Sequence, residues 1–105
     1  MKLFTKQNLR DLEANMKRPE ANRKPVVKLF DPGGIGTWLI SEKRGDTLFG
    51  LCDLGFPELG NVSLSELEAF TGRFGLRIER DKYFEPEMTL DHYAKEARIR
   101  GSITA

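Results

Sequence analysis

Residues 47–68, TLFGLCDLGFPELGNVSLSELE, limit what this chain can fold into more than any other stretch. An apolar run is followed by a loop with Gly and Pro, a second short apolar run and a helix start. The Ser63 hydroxyl can cap the first turn of that helix, and the Glu66 carboxylate can reach back to the Ser63 N–H to form a capping box. The stretch predicts a strand, a crossing loop, a short strand over 60–62 and a helix over 63–71.

The preceding segments predict the rest of a sheet. Apolar residues at helical spacing predict a first helix over 5–16, capped by Thr5 and ended by Pro19. Alternating apolar runs joined by short glycine-containing turns predict three consecutive strands, over 26–30, 37–41 and 47–52. Consecutive strands with connections this short pair antiparallel. The sequence therefore predicts an α+β fold, a small antiparallel sheet of three to five strands with two or three helices, in a single domain over 1–105.

The last third of the chain predicts segments that cover this sheet. Apolar residues alternate over 74–78, as in a short edge strand or an extended covering segment. Thr89 can cap a last helix and Gly101 can end it, which leaves 102–105 free to fray. Because the strand over 37–41 is apolar on both sides, we expect a helix on one face and a loop or a partner on the other.

Composition excludes several classes of function. With one cysteine, Cys52, in 105 residues the chain can form neither an intrachain disulfide nor a cysteine zinc site. No apolar run approaches the ~20 residues of a membrane span, and the N-terminus lacks a signal-peptide pattern, so we expect a cytoplasmic protein with no membrane contact. The net charge of +1 does not indicate nucleic-acid binding. The glycines over 33–36 match no phosphate-binding motif, and no cofactor is predicted.

Basic residues nevertheless concentrate in one part of the sequence. Lysines and arginines there could neutralise the phosphates of a nucleic acid, but a solvated loop explains the same pattern and is the interpretation we favour. Both interpretations stay open at this point. The candidate nucleic-acid-binding residues are Lys17, Arg18, Arg23, Lys24 and Lys28.

Carboxylates are the second candidate chemistry. A metal-dependent nuclease needs two or three of them converging on Mg²⁺, usually beside a lysine. The sequence supplies such residues but nothing that makes them converge, and its one histidine, His92, has only Glu96 at a helical ligand spacing. We therefore assign no catalytic residue and no metal ligand. The same residues predict an interaction loop that comprises Glu58, Glu79, Arg80 and Asp81.

Several short motifs resemble those of a known family. They are PELG over 57–60, SLSEL over 63–67, and GL and IERD within 75–81. With these motifs, residues 1–87 are similar to an uncharacterised bacterial family, domain of unknown function 2958, whereas the tail over 88–105 looks particular to this protein. Members of the family occur often on plasmids and integrated mobile elements. The resemblance implies no reaction; it implies an accessory role in conjugation, plasmid maintenance or countering host defence.

Two functions of different classes follow from these observations. The first is a non-enzymatic accessory protein of a plasmid or integrated mobile element that binds an unidentified protein partner, such as a host-defence component. The alternative is a nucleic-acid-binding module or a metal-dependent nuclease linked to conjugation. The sequence leaves open which partner is bound and whether the protein is a monomer or a homodimer.

Overall fold

Five strands form one antiparallel sheet in the computed structural model of this protein, which describes residues 2–105. Met1, the first residue of the predicted domain, lies outside the described residues. The strands are β1 (Val27–Phe30), β2 (Thr37–Arg44), β3 (Thr47–Asp53), β4 (Pro57–Ser63) and β5 (Glu79–Arg80). Their order is β4-β3-β2-β1-β5, so β1 to β3 form the predicted meander, β4 extends it and β5 pairs at the β1 edge. The predicted α+β fold is confirmed.

Three helices and two single turns of 3-10 helix accompany the sheet. The helices are α1 (Lys6–Met16), α2 (Leu64–Ala69) and α3 (Leu90–Arg100), and the 3-10 turns are Glu20–Asn22 and Arg73–Gly75. The predicted caps Thr5, Ser63 and Thr89 each accept a hydrogen bond from the backbone N–H three residues later. Gly101 ends α3 with a left-handed φ of 85°. Within residues 2–105, every helix is too short or too polar to span a bilayer.

The start of α2 is held by a side chain that the sequence pattern did not indicate. Ser63 accepts from the Glu66 N–H at 3.2 Å, but Glu66 does not complete the predicted capping box, and that prediction is wrong. Asp46, in the turn between β2 and β3, accepts from the Ser63 hydroxyl at 2.6 Å and from the Ser65 N–H at 2.9 Å. This distant carboxylate satisfies N–H and hydroxyl groups at the positive end of the helix.

The stretch that most limits the fold forms a hairpin and not a crossing connection. Residues 57–59 begin β4 and pair with the end of β3, and a tight turn over 54–56 joins the two strands. The predicted crossing loop is therefore wrong, and β4 has seven residues where the pattern indicated three. Pro57 fits this arrangement because proline is tolerated at the first position of a strand.

The alternating apolar residues over 74–78 do not form an edge strand. Arg73–Gly75 is a 3-10 turn in which Phe74 has a φ of 60°, and pairing with β1 begins only at Glu79. Of the two predicted alternatives, the edge strand is therefore wrong at these positions, while Leu76 is extended and Ile78 is buried, as in a covering segment. Glycines at 72 and 75 favour a turn, and a φ of 60° is incompatible with a strand.

The two sides of the sheet, here called the first face and the second face, carry separate hydrophobic cores. The first face packs against α1 and α2, and its buried residues are Leu3, Phe4, Leu12, Val27, Leu29, Trp38, Ile40, Leu48 and Ile78. The second face packs against α3, and its buried residues are Leu39, Leu51, Leu90, Tyr93, Ala94 and Ala97. A helix therefore covers each face. On the second face, α3 folds back over β3 and β4 and supplies the cover that the prediction assigned to a loop or a partner.

The C-terminal residues are held against the second face. Ile103 packs on the second core, and its N–H donates to Asp53 Oδ2 at 3.0 Å. The Lys28 ammonium donates to the Ala105 carbonyl oxygen at 2.6 Å. The predicted fraying of 102–105 is therefore wrong, because side chains that are remote in sequence bind this backbone.

A β-bulge distorts the middle of the sheet. Pairing between β2 and β3 shifts between Ile40 and Glu42, which leaves Ser41 as an extra residue on β2. Glu42 is paired with Phe49, which packs on the second core, and cross-strand partners share a face. Glu42 therefore faces α3. Asn15 on α1 donates its side-chain amide to the Ser41 carbonyl at 3.0 Å and so satisfies the backbone at the bulge.

Candidate functional site

An open groove of about 920 Å³, here called the Trp38 groove, lies on the first face of the sheet. It is bordered by α2, by the turn over 31–36 that joins β1 to β2, and by the turn over 54–56. Its lining is largely apolar because strand, helix and turn residues all contribute hydrocarbon. The apolar side chains are Ile35, Trp38, Leu54, Val62, Leu67 and Phe70.

Several of these side chains remain in contact with solvent. Ile35 is 72% exposed, Leu54 65% and Phe70 42%, and Phe74, next to the lining residue Arg73, is 87% exposed. Single exposed apolar residues are ordinary on protein surfaces. Several that border one concave surface are typical of an interaction site. Three exposed large apolar side chains therefore line the Trp38 groove together, whereas Tyr83 and Ile99 are exposed elsewhere on the surface.

The groove stays open because α2 is short. The helix has six residues and ends at Ala69, since Phe70 adopts an extended conformation. The chain then forms a small loop over 71–77, closed by a hydrogen bond of 2.7 Å from the Gly72 N–H to the Leu76 carbonyl. This loop approaches the turn over 31–36 closely enough that a side chain at Gly33 would come within 2.9 Å of the Arg73 carbonyl oxygen.

The charges at the groove are unequal. Two carboxylates, Asp31 and Glu66, and one guanidinium, Arg73, line it. Asp31 Oδ1 accepts from the Gly33 N–H at 3.2 Å, which fixes the turn, while Glu66 is exposed at the first turn of α2. Arg73 lies 6.0 Å from the centroid of the Phe74 ring, within cation–π range. The excess of carboxylate favours a basic group on anything that binds here.

Asp46 links the position of α2 to pH. Hydrogen bonds from Ser63 and Ser65 hold the pKa of the Asp46 carboxyl below its ordinary value of 3.8. Because this pKa is lowered on folding, the stabilisation is complete above about pH 4 and is lost as the pH falls through the lowered value. The wall of the groove that α2 provides is therefore held in place throughout the neutral range.

The five candidate nucleic-acid-binding residues fall into two groups. Lys17, Arg18 and Lys24 are exposed near the C-terminal end of α1. Arg23 is buried, with Nη1 only 2.7 Å from Glu42 Oε2. Lys28 lies on β1, where its ammonium is 3.8 Å from Asp81 Oδ2 and also donates to the C-terminal backbone. Three of the five candidate residues, Lys17, Arg18 and Lys24, are therefore exposed to solvent.

The structure separates the residues of the predicted interaction loop. Glu58 lies on β4 at one edge of the sheet, while Glu79, Arg80 and Asp81 lie at the opposite edge, beside β1. Arg80 donates to the Leu3 carbonyl at 2.6 Å and so fastens the N-terminal segment. Across residues 2–105, no three His, Cys, Asp or Glu side chains are grouped so that they could hold a metal ion.

Sequence reasoning missed the residues that form the Trp38 groove. Ile35 lies between two glycines and Leu54 directly precedes Gly55, so each is a large apolar side chain in a turn. Turns run over the protein surface, so no helix or strand packs over a side chain in a turn. Apolar residues inside glycine-rich turns were the available signal, and they indicate exposed anchors more than core.

Cys52 has no role as a reactive group at this site. Burial, and secondarily the nearby Glu58 carboxylate, raises the pKa of the Cys52 thiol to about 11. The thiol is therefore protonated at neutral pH, and the thiolate is the reactive form. Its side chain packs against the first core, as the sequence pattern predicts for a cysteine in an apolar strand.

Comparison with known proteins gives one result. A family model described as a protein of unknown function, DUF2958, matches residues 3–104. The match continues through α3, beyond residue 87, where the resemblance in the sequence motifs ends. No curated protein and no solved structure matches the chain.

Proposed function

We propose that this chain, which belongs to the DUF2958 family of proteins of unknown function, has a non-enzymatic accessory role. In this role it binds a protein partner through the Trp38 groove. The single observation that supports this function is that three exposed apolar side chains, Ile35, Leu54 and Phe70, line one concave surface of about 920 Å³. Burial of such surface is the main favourable contribution in protein association.

The setting of this role is also part of the proposal. Motifs such as PELG over 57–60 and IERD over 78–81 resemble a family often found on plasmids and integrated mobile elements. We therefore place the protein in the cytoplasm of a host cell, where it would act on a component of conjugation, plasmid maintenance or host defence. The partner is a protein of the host or of the element itself.

The groove favours an amphipathic helix as the bound segment. Separate apolar walls at Ile35, Leu54 and Phe70 offer contacts to two or three side chains on one helix face, as in other helix-in-groove complexes. The carboxylates of Asp31 and Glu66 favour a lysine or arginine beside those apolar anchors. The proposal is therefore a partner helix with apolar residues at helical spacing and a flanking basic residue.

Selection from a displayed library of random 15-residue peptides tests this proposal with a defined probe. We expect enriched peptides to carry apolar residues three or four positions apart and a basic residue. Because Trp38 is the only tryptophan and lines the groove, its fluorescence reports occupancy for peptides that lack tryptophan. Phe70→Glu should weaken binding by at least about tenfold, since it places a charge in the apolar wall.

Ile99→Glu is the matched control. Ile99 is also an exposed apolar residue, at 85%, but it lies on α3 over the second face, so this variant should bind the peptides like wild type. Equal binding by the Phe70→Glu variant, or enriched peptides without the expected pattern, would contradict the proposal. Self-association that Phe70→Glu abolishes would instead identify a second copy of this chain as the occupant.

Nucleic-acid binding is the second candidate function. It is favoured by the exposure of three neighbouring cations, Lys17, Arg18 and Lys24. Charge reversal of all three should abolish salt-sensitive binding of labelled single- and double-stranded DNA and RNA, whereas Lys95→Glu on α3 should change it little. Adding Mg²⁺ to the same samples tests for a nuclease linked to conjugation. No binding at low salt would remove this candidate.

A further inference from the structure

The two edges of the sheet are protected against further strand pairing to different degrees. At one edge β5 has two residues, Glu79 and Arg80, and the charged residues Asp81 and Lys82 follow it. At the other edge β4 has seven residues, pairs with β3 without a register shift and carries one charged side chain, Glu58. A long, regular and weakly charged edge strand is open to pairing with another strand, so β4 is the edge at which this sheet can be extended.

The hydrogen bonds between β3 and β4 show which backbone groups point outward. The Leu64 N–H donates to the Asp46 carbonyl at 2.9 Å, which makes the adjacent pair of β3 and β4 residues a non-hydrogen-bonded pair. Such pairs alternate with hydrogen-bonded pairs along an antiparallel ladder. Leu59 and Asn61 are therefore also in non-hydrogen-bonded pairs, and their N–H and C=O groups point away from β3. Pro57 belongs to the same set, so its missing N–H costs no bond to β3.

These outward groups match a second copy of the same strand. When two copies of β4 pair antiparallel about a two-fold axis at Gly60, Leu59 of each copy lies opposite Asn61 of the other, and the two residues exchange both hydrogen bonds. Gly60 is the middle residue of β4, and a Cβ atom there would meet nothing within 4 Å. Glu58 then lies opposite the uncharged Val62 of the second copy. The edge is thus self-complementary, as an isologous interface requires.

The charged flank of α3 has the same two-fold complementarity. Asp91, at the start of the helix, lines a cavity together with Asn61 near the end of β4. The end of the helix lies near the beginning of β4, because Ile103 binds Asp53 at the turn between β3 and β4. Arg98 follows Asp91 by about two helical turns and is exposed on the same flank. Because α3 runs antiparallel to β4, the two-fold axis places Asp91 of one copy beside Arg98 of the other.

Two further features lie where this pairing would bring them into contact. α3 packs over β3 and β4, and strands lie about 4.8 Å apart, so the two copies of α3 would be separated by roughly 10 Å, as packed helices are. Phe56, which is 70% exposed in the turn before β4, falls opposite Leu64 of the second copy at this register. The contact therefore extends beyond a single pair of strands and includes an aromatic side chain, which interfaces favour.

We propose that this protein forms a homodimer in which the β4 strands of two copies pair antiparallel about a two-fold axis at Gly60. The two sheets then form one continuous sheet, and both Trp38 grooves lie on the same side of it, because the axis is perpendicular to the strands and to the sheet. The dimer does not depend on what binds in the groove, so its failure and the failure of the proposed function are separate results.

Disulfide trapping tests the register. Gly60→Cys places two thiols opposite each other in a non-hydrogen-bonded pair, where the side chains are close enough for a disulfide. Glu58→Cys is the matched control on the same strand, because its two thiols would be about 13 Å apart. In a glutathione redox buffer we expect covalent dimers from Gly60→Cys and few from Glu58→Cys. Equal yields from the two variants would contradict the two-fold axis at Gly60.

Sedimentation equilibrium over a concentration series tests the dimer without a cross-link. Asn61→Pro removes an outward N–H that β3 does not use, so this variant should fold and yet be a monomer where the wild-type chain is a dimer. Phe70→Glu, in the Trp38 groove, should dimerise like wild type. A dimer that survives Asn61→Pro, or one that Phe70→Glu abolishes, would place the interface elsewhere and overturn the proposal.

Charge reversal tests the contact between the two copies of α3. Asp91→Arg should weaken dimerisation by about threefold to tenfold, since it acts at both symmetric pairs, and adding Arg98→Asp should restore it. Asp11→Arg, the same change at an exposed position on α1, should have no effect. Failure of the double variant to restore affinity would count against the arrangement of α3. A wild-type chain that stays monomeric at about 0.5 mM, a low affinity by the usual scale, would overturn the dimer and leave the β4 edge to a segment of another protein.

Discussion

The apolar residues on the two faces of the sheet are covered to different extents. On the second face, α3 and the C-terminal segment close over β3 and β4, and Ala94 and Ala97 allow a close approach. On the first face, α1 covers β2, but α2 has only six residues and leaves the Trp38 groove open beside it. A small domain can therefore complete one core and leave apolar surface on the other side. This difference is the reason why we place the proposed partner site on the first face.

The largest expected effect tests whether the two cores unfold together. Leu48 and Leu51 are fully buried on β3, on the first and second face respectively. Replacing either by alanine removes buried hydrocarbon and leaves a cavity, so each variant should lose about 2–5 kcal/mol of unfolding free energy. Urea unfolding measures this loss. Two separate transitions in either variant would show that the faces are independent and would break the comparison.

The next effect concerns the charges at the bulge. Glu42→Gln leaves the buried Arg23 guanidinium without its counter-charge and should cost about 3 kcal/mol of stability. Arg44→Gln serves as the control: Arg44 lies 3.9 Å from Glu42, but its side chain is 67% exposed, so the cost should stay below about 1 kcal/mol. Similar thermal midpoints for the two variants would contradict the expectation that the buried Arg23–Glu42 pair contributes more stability than the exposed Arg44–Glu42 pair.

A smaller effect compares the closed face with the open one directly. Ala97→Leu forces extra volume between α3 and the sheet and should cost about 1–3 kcal/mol. Leu67→Phe adds volume on α2, where the side chain can extend into the Trp38 groove, so its cost should remain within about 0.5 kcal/mol. Chemical denaturation of both variants gives the comparison. Equal destabilisation would mean that the groove is closed in solution.

The smallest expected effect on stability comes from substitutions of exposed residues, and it allows the groove to be compared with the surface of α3. Ile35→Ser and Ile99→Ser both change exposed side chains, and each should alter unfolding free energy by no more than about 0.5 kcal/mol. The native protein should enhance the fluorescence of the apolar dye ANS, and only Ile35→Ser should reduce that signal, because Ile35 borders the groove. An equal reduction by Ile99→Ser would remove the distinction between the faces.

The candidate sites were less predictable than the fold for a physical reason. The groove depends on the early end of α2 at Ala69 and on the turns that carry Ile35 and Leu54. Each of these segments can be recognised in the sequence as a short apolar or glycine-containing stretch. Strand pairing, however, determines that the three segments lie next to one another in the fold. The interaction loop predicted from charge was divided between two edges of the sheet for the same reason, since Glu58 and Asp81 lie on opposite sides.

The sequence by itself determined what depends on neighbouring residues. The caps at Thr5 and Thr89, the left-handed end at Gly101 and the antiparallel meander follow from local hydrogen bonding, backbone sterics and short connections. Only the tertiary structure decided that Asp46 holds the start of α2 and that Arg23 pairs with Glu42. Those contacts join segments 19 residues apart in sequence. Burial makes the Arg23 guanidinium require a counter-charge, whereas the exposed Asp46 carboxylate binds the free N–H and hydroxyl donors at the start of α2.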